Sequence, residues 1–175
     1  IVTIHLLPYW EDSPTGIGRA IAHVLATYKH MQTLFPGKRI AVGETGWPSA
    51  GRWRADAAPG VVDEAVFIRE FVAAARAAGI DYNLIEAFDQ GWKYASEGTV
   101  GANWGLWQAD RAQNIPFSGD VADDSAWPRW AGLRMALGVL LLGAGLAVPG
   151  LGVGEQLRLA GLAMGLGGAL GYAVS

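Results

Sequence analysis

The sequence predicts an α/β fold of parallel strands joined by crossover helices, followed by two membrane-spanning helices. Three observations carry this expectation. Three strand-like runs, 1–7, 40–42 and 81–89, each give way at the same end to acids and aromatics. Two stretches with apolar residues at helical spacing separate them, each long enough for a right-handed crossover. Past residue 130 the chain turns apolar and Gly-rich, in runs long enough to cross a bilayer.

The first run, Ile1 to Leu7, enters a loop made of Pro8, Tyr9, Trp10, Glu11 and Asp12. Two readings of that loop stand side by side. Its aromatics cover the end of the core, or Tyr9 and Trp10 stack in a cleft while Glu11 bonds to ligand hydroxyls. His5 reads as a strand histidine held by a neighbour, with a direct catalytic role as the alternative. Ser13-Pro14 opens a helix from about Gly16 to Leu34, with Ile17, Ile21, Val24, Leu25 and Tyr28 on one face. Pro36-Gly37-Lys38 ends it.

The strand Ile40 to Val42 stops at Gly43, and Glu44 follows at once, ahead of a turn that carries Trp47 and Pro48. A carboxylate at the C-terminal mouth of a parallel strand is where barrel enzymes place their chemistry. The plainer reading is a Glu that caps the turn. A loop with Arg52, Trp53 and Arg54 leads to a second helix, Val61 to Ala78, whose apolar side is Val62, Ala65, Val66, Ile68, Phe71 and Val72. Gly79 is its predicted stop. The third run then ends in Glu86, Phe88, Asp89, Gln90, Trp92 and Lys93. Residues 97–107 read as a Gly-rich loop with a short extended piece. No strand-turn-helix context surrounds those glycines, so they are not a nucleotide fingerprint.

Residues 110–124 read as a polar tether. Trp127 and Trp130, with Arg129 between them, suit the headgroup level of a membrane. Met135 to Val153 carries no charge and is long enough to span, and Leu159 to Ser175 makes a second run after a short polar hairpin. Gly161 with Gly165, and Gly167 with Gly171, have the spacing that lets spanning helices pack closely.

Composition excludes several classes. The 175-residue chain has a net charge of −3 and no basic stripe, so nucleic acid is not an expected partner. It has no Cys, which removes a disulfide frame and a thiolate metal site. His5, His23 and His30 are not spaced with acids as a ligand set, so neither metal nor other cofactor is expected. A small transporter is disfavoured because the apolar runs hold no ionisable residue outside the hairpin. The start without Met and the end inside an apolar run read as a piece of a longer protein.

Gly43-Glu44-Thr45-Gly46-Trp47-Pro48-Ser49 resembles the nucleophile segment of the family 17 glycoside hydrolases, the β-1,3-glucanases and related β-glucan transferases. Ile4-His5 with Pro8 to Glu11 is similar to that family's strand-six region. Glu86 to Lys93, with Glu97 and Trp104-Gly105-Leu106, is similar to its strand eight and the segment after that strand. The resemblance implies that residues 1–110 are the C-terminal part, about strands 6–8, of a (β/α)8 TIM barrel. Residues 111–130 would then be a juxtamembrane linker and 131–175 a truncated transmembrane hairpin, as in a bacterial membrane-anchored type. That type implies an integral protein of the cell membrane with its catalytic side extracytoplasmic.

It further implies Glu44 as the nucleophile of a retaining enzyme acting on β-1,3-glucan oligosaccharide or polysaccharide. The second carboxylate of the family lies in an Asn-Glu pair on strand four, which this chain does not include. The isolated piece is therefore expected to be inactive. His5, Tyr9, Trp10, Glu11, Trp47, Glu86, Phe88, Asp89, Trp92, Lys93, Glu97 and Trp104 are implied as substrate-binding residues. Lys93 with Glu97 resembles a pair that the family holds near the nucleophile, where a cation would help keep Glu44 ionised. Gln90 and Gly91 depart from the family pattern and bear on linkage specificity. Hydrolysis and transfer share the covalent intermediate and differ in what resolves it. Membrane lipid and further transmembrane segments of the parent chain complete the expected partners. The alternative is a non-catalytic carbohydrate-binding or scaffold module of a membrane polysaccharide system, which an upstream sequence lacking the Asn-Glu carboxylate would favour.

Overall fold

The structure, a computed structural model, describes residues 1–123, 127–146, 150, 152–159 and 161–162. It divides into two units, Ile1–Asp123 and Asp124–Ser175. In the first, β1 (Val2–Leu6), β2 (Ile40–Thr45) and β3 (Asp81–Leu84) form one parallel sheet in the order β1-β2-β3. The helices α1 (Ile17–Leu34) and α2 (Val61–Ala78) make the two crossovers. Parallel neighbours cannot be joined by a hairpin, so each helical spacer returns the chain to the same end of the sheet.

Alternation along the strands gives the sheet two faces. Leu6, Ile40 and Val42 are buried, and Val2, Ile4 and Tyr82 join the same cluster. Val24 and Tyr28 of α1 and Phe67, Ile68 and Phe71 of α2 complete it, with the Phe71 and Tyr82 rings edge-on at 5.1 Å. Thr3 and His5 point to the opposite, exposed face. α2 keeps its expected bounds and stops at Gly79, which takes a left-handed φ of 64°.

Three elements differ from expectation. β2 does not stop at Gly43 but runs to Thr45. The register of β1 on β2 shifts between Ile4 and His5, which brings His5 opposite Glu44. A Cβ at Gly43 would collide with Thr3 and press on the His5 ring, so the glycine is what lets the strand continue beneath them. β3 is shorter than expected, and the chain beyond it pairs elsewhere. Glu86 N–H donates to the Trp104 carbonyl at 2.7 Å and Leu106 N–H to the Glu86 carbonyl at 2.9 Å. A 3₁₀ turn (Gly91–Lys93) leads into α3 (Tyr94–Ala102), kinked where Gly98 adopts φ 72°, so residues 97–102, expected as part of a loop, are helical.

Residues 111–123, expected as a tether, belong to the first unit. Ile115 is fully buried, and the Arg69 guanidinium of α2 donates to the carbonyls of Pro116 and Gly119. Asp123 Oδ1 accepts from Val62 N–H at 3.0 Å, at the start of α2. Ile115, Phe117 and Val121, scattered among turn-formers, carry little periodic signal, which hid this packing from the sequence.

In the second unit α4 spans Trp127–Leu146, and residues 153–159 are helical. Among the described residues no helix is long and apolar enough to cross a membrane, and residues 147–149 and 151 of the expected span Met135–Val153 lie outside the described residues. The first turns of α4 hold Arg129 and Arg134. Most of the second expected span, residues 163–175 with the glycines Gly165, Gly167 and Gly171, lies outside the described residues.

Candidate active site

The ends of β2 and β3 and the loop after β1 bring the candidate residues together. Glu44, next to last in β2, has its Oε2 3.1 Å from His5 Nδ1 across the β1–β2 pair. Both side chains are well exposed, His5 by 54% and Glu44 by 42%. An exposed carboxylate oriented by an imidazole can act as nucleophile, base or acceptor for a ligand hydroxyl. The histidine held by a neighbour, one of the two sequence readings, has that neighbour in Glu44 itself.

Glu86, just past β3, is in a different state. It is 9% exposed, and its Oε1 forms a close ion pair with Lys93 Nζ. Its Oε2 is buried without a hydrogen-bond partner. Lys93, expected with Glu97 near the nucleophile where it would help keep Glu44 ionised, has its ion pair with Glu86. Glu97 is exposed on α3 and lies against Gly101, where an added Cβ would meet it.

The aromatics divide between core and surface. Tyr9 and Trp47 are fully buried and thus packing residues, not open platforms. Tyr9 OH donates to the Arg52 carbonyl at 2.5 Å, and Trp47 Nε1 donates to the Ala58 carbonyl at 3.0 Å. Burial pushes the Tyr9 phenol pKa up, against the lowering effect of Arg52 and Arg54. Trp10 is half-buried and stacks on Trp104 at 6.3 Å with 14° between planes, while Trp104 itself is buried. The Arg54 guanidinium lies 5.4 Å from the Trp10 ring centre and donates to the Tyr9 carbonyl. Trp92 is the open one, 72% exposed, with its Nε1 donating to Gln90 Oε1 at 2.8 Å. Phe88 is partly exposed beside Trp107.

Two expected cleft acids have structural partners. Glu11 sits 2.6 Å from His23 Nε2 of α1, which ties the β1–α1 loop to the helix. Asp89 is a clasp: Oδ1 accepts from Gly105 N–H and Oδ2 from Asn114 Nδ2, both at 2.8 Å. Asn114 Nδ2 also donates to the Gly105 carbonyl at 2.7 Å, closing the loop on itself.

Sequence reading missed Arg54, Asn114 and above all Glu64. Glu64 on α2 is fully buried with neither carboxyl oxygen bonded. Burial, helped by the nearby Asp89 charge, raises its pKa to about 9. Its position was legible in principle, since it lies on the buried stripe of 64, 68, 71 and 75.

A parallel β/α sheet that presents an exposed carboxylate at a strand's C-terminal end has the arrangement at which α/β enzymes, barrels among them, place their chemistry. Residues 1–105 match the family described as BtgE/BtgC glycoside hydrolase domain, and the chain belongs to this family, within glycoside hydrolase family 17. Over 72 residues it is 43% identical to a glucan 1,3-β-glucosidase of Candida albicans, covering 40% of this chain and 23% of that one. A glucan 1,3-β-glucosidase of Saccharomyces cerevisiae is 36% identical over 81 residues, 45% of this chain and 25% of that one. Among solved structures, the family 17 β-1,3-glucanosyltransferase of Rhizomucor miehei is similar, with TM-score 0.60 and 26% identity over 67% of this chain and 42% of that one. An active-site mutant of that enzyme in complex with laminaritriose has the same TM-score and coverage at 25% identity. The chain thus spans about a quarter of the curated relatives it matches. None of these likenesses supports the bacterial type expected from the sequence.

Proposed function

We propose that this chain carries the nucleophile segment of a retaining enzyme that cleaves or transfers β-1,3-linked glucosyl units. The observation that carries the reading is Glu44 itself: an exposed carboxylate at the end of β2, aimed by His5, inside the segment that resembles the family's nucleophile region. A retaining glycosidase forms a covalent glycosyl-enzyme on one carboxylate while a second, about 5–5.5 Å away, acts first as acid and then as base. Glu86 is a poor candidate for that second role, because Lys93 neutralises it and burial closes it off. The acid/base is supplied by a strand of the full protein outside these residues. On this reading the open strand face bearing Thr3, His5 and Gly43 lines the barrel interior.

His5 fixes the nucleophile's rotamer, Trp92 offers an open face for a sugar ring, and Glu86–Lys93 forms a rigid polar wall. Tyr9, Trp47 and Trp104 support these groups from below. The names of the relatives support β-1,3-glucan as substrate, and a glucanosyltransferase among them keeps transfer beside hydrolysis. The test is to give the full-length protein a β-1,3-gluco-oligosaccharide and follow product lengths by mass spectrometry, with Glu44→Gln beside it. Products longer than the substrate identify a transferase and only shorter ones a hydrolase. A folded full-length protein that binds the sugar without turnover would support the scaffold reading instead.

We also read the apolar segment after Trp127 as a membrane attachment, with the glucan-active side extracytoplasmic. Its support is composition: Trp127, Arg129 and Trp130 precede a charge-free stretch from Met135. Retention of the full-length protein in the pellet after alkaline carbonate washing is the expected result. Complete release into the supernatant would refute it.

A further inference from the structure

A cavity of about 530 Å³ opens between the loop after β2, the start of α2 and the segment clasped by Asp89. It shares no lining residue with the Glu44–His5 pair or the Glu86–Lys93 pair. Its polar wall consists of Ser49, Asp89, Asn103, Gln108, Asp110 and Asn114, and no Lys or Arg lines it. The rest is Val61 with the small residues Ala50, Gly91, Ala102 and Ala109, which leave room without an aromatic plug.

The hydrogen bonds within the protein decide what this wall can still do. Asn114 spends both amide N–H groups, on Asp89 and on the Gly105 carbonyl, and Asn103 spends one of its two on the Thr99 carbonyl. Their amide oxygens therefore remain as acceptors. Asp110 uses Oδ1 on Ala112 N–H and keeps Oδ2. The wall is thus rich in acceptors, with the second Asn103 N–H and the Gln108 amide at the exposed rim as its donors. Two carboxylates without a lining cation repel phosphates, sulfates and uronic acids. Acceptors in excess call for a ligand rich in hydroxyl donors, and the volume lies within the range of small-molecule pockets.

We propose that this cavity is a second saccharide-binding site, one that holds a neutral sugar unit through its hydroxyls. It would keep a polysaccharide attached beside the reaction centre. The preference for a β-1,3-linked sugar rests on the proposed function of the Glu44 site, whereas the neutral, polyhydroxylated character of the ligand rests on the cavity alone.

The experiment is saturation-transfer NMR and calorimetry on the full-length protein carrying Glu44→Gln, so that the probe survives, with laminaritriose and cellotriose as probes. Three further variants are made on that background. Gln108→Ala and Asp110→Ala each remove polar groups from an exposed loop, and Ala109→Trp fills the cavity. Unchanged thermal unfolding shows that each variant is folded. Two classes of site for laminaritriose are expected, with one weakened about tenfold or lost in each of the three variants. Two classes for cellotriose but not laminaritriose, again sensitive to these variants, would uphold the sugar site and overturn the β-1,3 reading. A single class of site for both probes, or two classes unmoved by the three variants, would overturn the proposal.

Discussion

Glu44 and Glu64 show how position gives one side chain type two behaviours. Glu44 stands largely in solvent with an imidazole beside it, so its carboxyl group is accessible to a ligand. Glu64 is buried with no partner and feels the Asp89 charge, and it is held neutral up to a pH of about 9. That fixes the sign of its effect on stability. The folded state keeps the proton between 4.5 and about 9 while the unfolded chain releases it. Glu64 therefore stabilises the fold fully only below about 4.5, and that contribution is lost as pH rises through the folded value. Glu64→Gln removes the titration, so the variant gains on the parent as pH increases. The expected gain at pH 7 is on the order of 1–3 kcal/mol, vanishing near pH 4. Urea unfolding at several pH values measures it, and a pH-independent difference would show that Glu64 is not neutral in the fold. At this scale Glu44 was legible because a strand-end carboxylate stood inside a specific segment. The partners of Glu11, Lys93 and Asp89 were not, because each is chosen by a fold contact seven or more positions away.

At the scale of elements, the strand and helix order was readable because apolar periodicity is local. α2 matches its expectation end to end, since a Gly lies on each side of an apolar stripe. What happens at the strand ends was not readable. β2 continues past Gly43 because the glycine leaves room for Thr3 and His5 of the neighbouring strand, a contact that the local sequence does not reveal. Gly46 is the second such place: a Cβ there would run into the Ile85 carbonyl and the Trp104 ring, where the segment after β3 folds back over the site. Gly46→Ala is expected to destabilise the first unit by about 1–3 kcal/mol, as overpacking does. It should also displace Trp104. Chemical denaturation together with Trp fluorescence reads both effects, and a variant of parental stability would contradict the close approach.

For the whole molecule, the first unit supplies three parallel strands where a closed barrel has eight. On the proposed function, its exposed strand face and its accessible strand-end carboxylate are one side of a barrel site. Residues 111–123, expected as a tether, instead lock onto α2 through Arg69 and Asp123, so the folded unit extends to Asp123. The central claim is that Glu44 forms the covalent bond to the sugar. The most direct measurement is intact mass of the full-length protein after reaction with a 2-deoxy-2-fluoro glucosyl donor, which accumulates the glycosyl-enzyme by slowing its resolution. One added glycosyl mass is expected, located by peptide mapping to Glu44 and absent from Glu44→Gln. A label on any other residue, or one that persists in Glu44→Gln, would contradict the account.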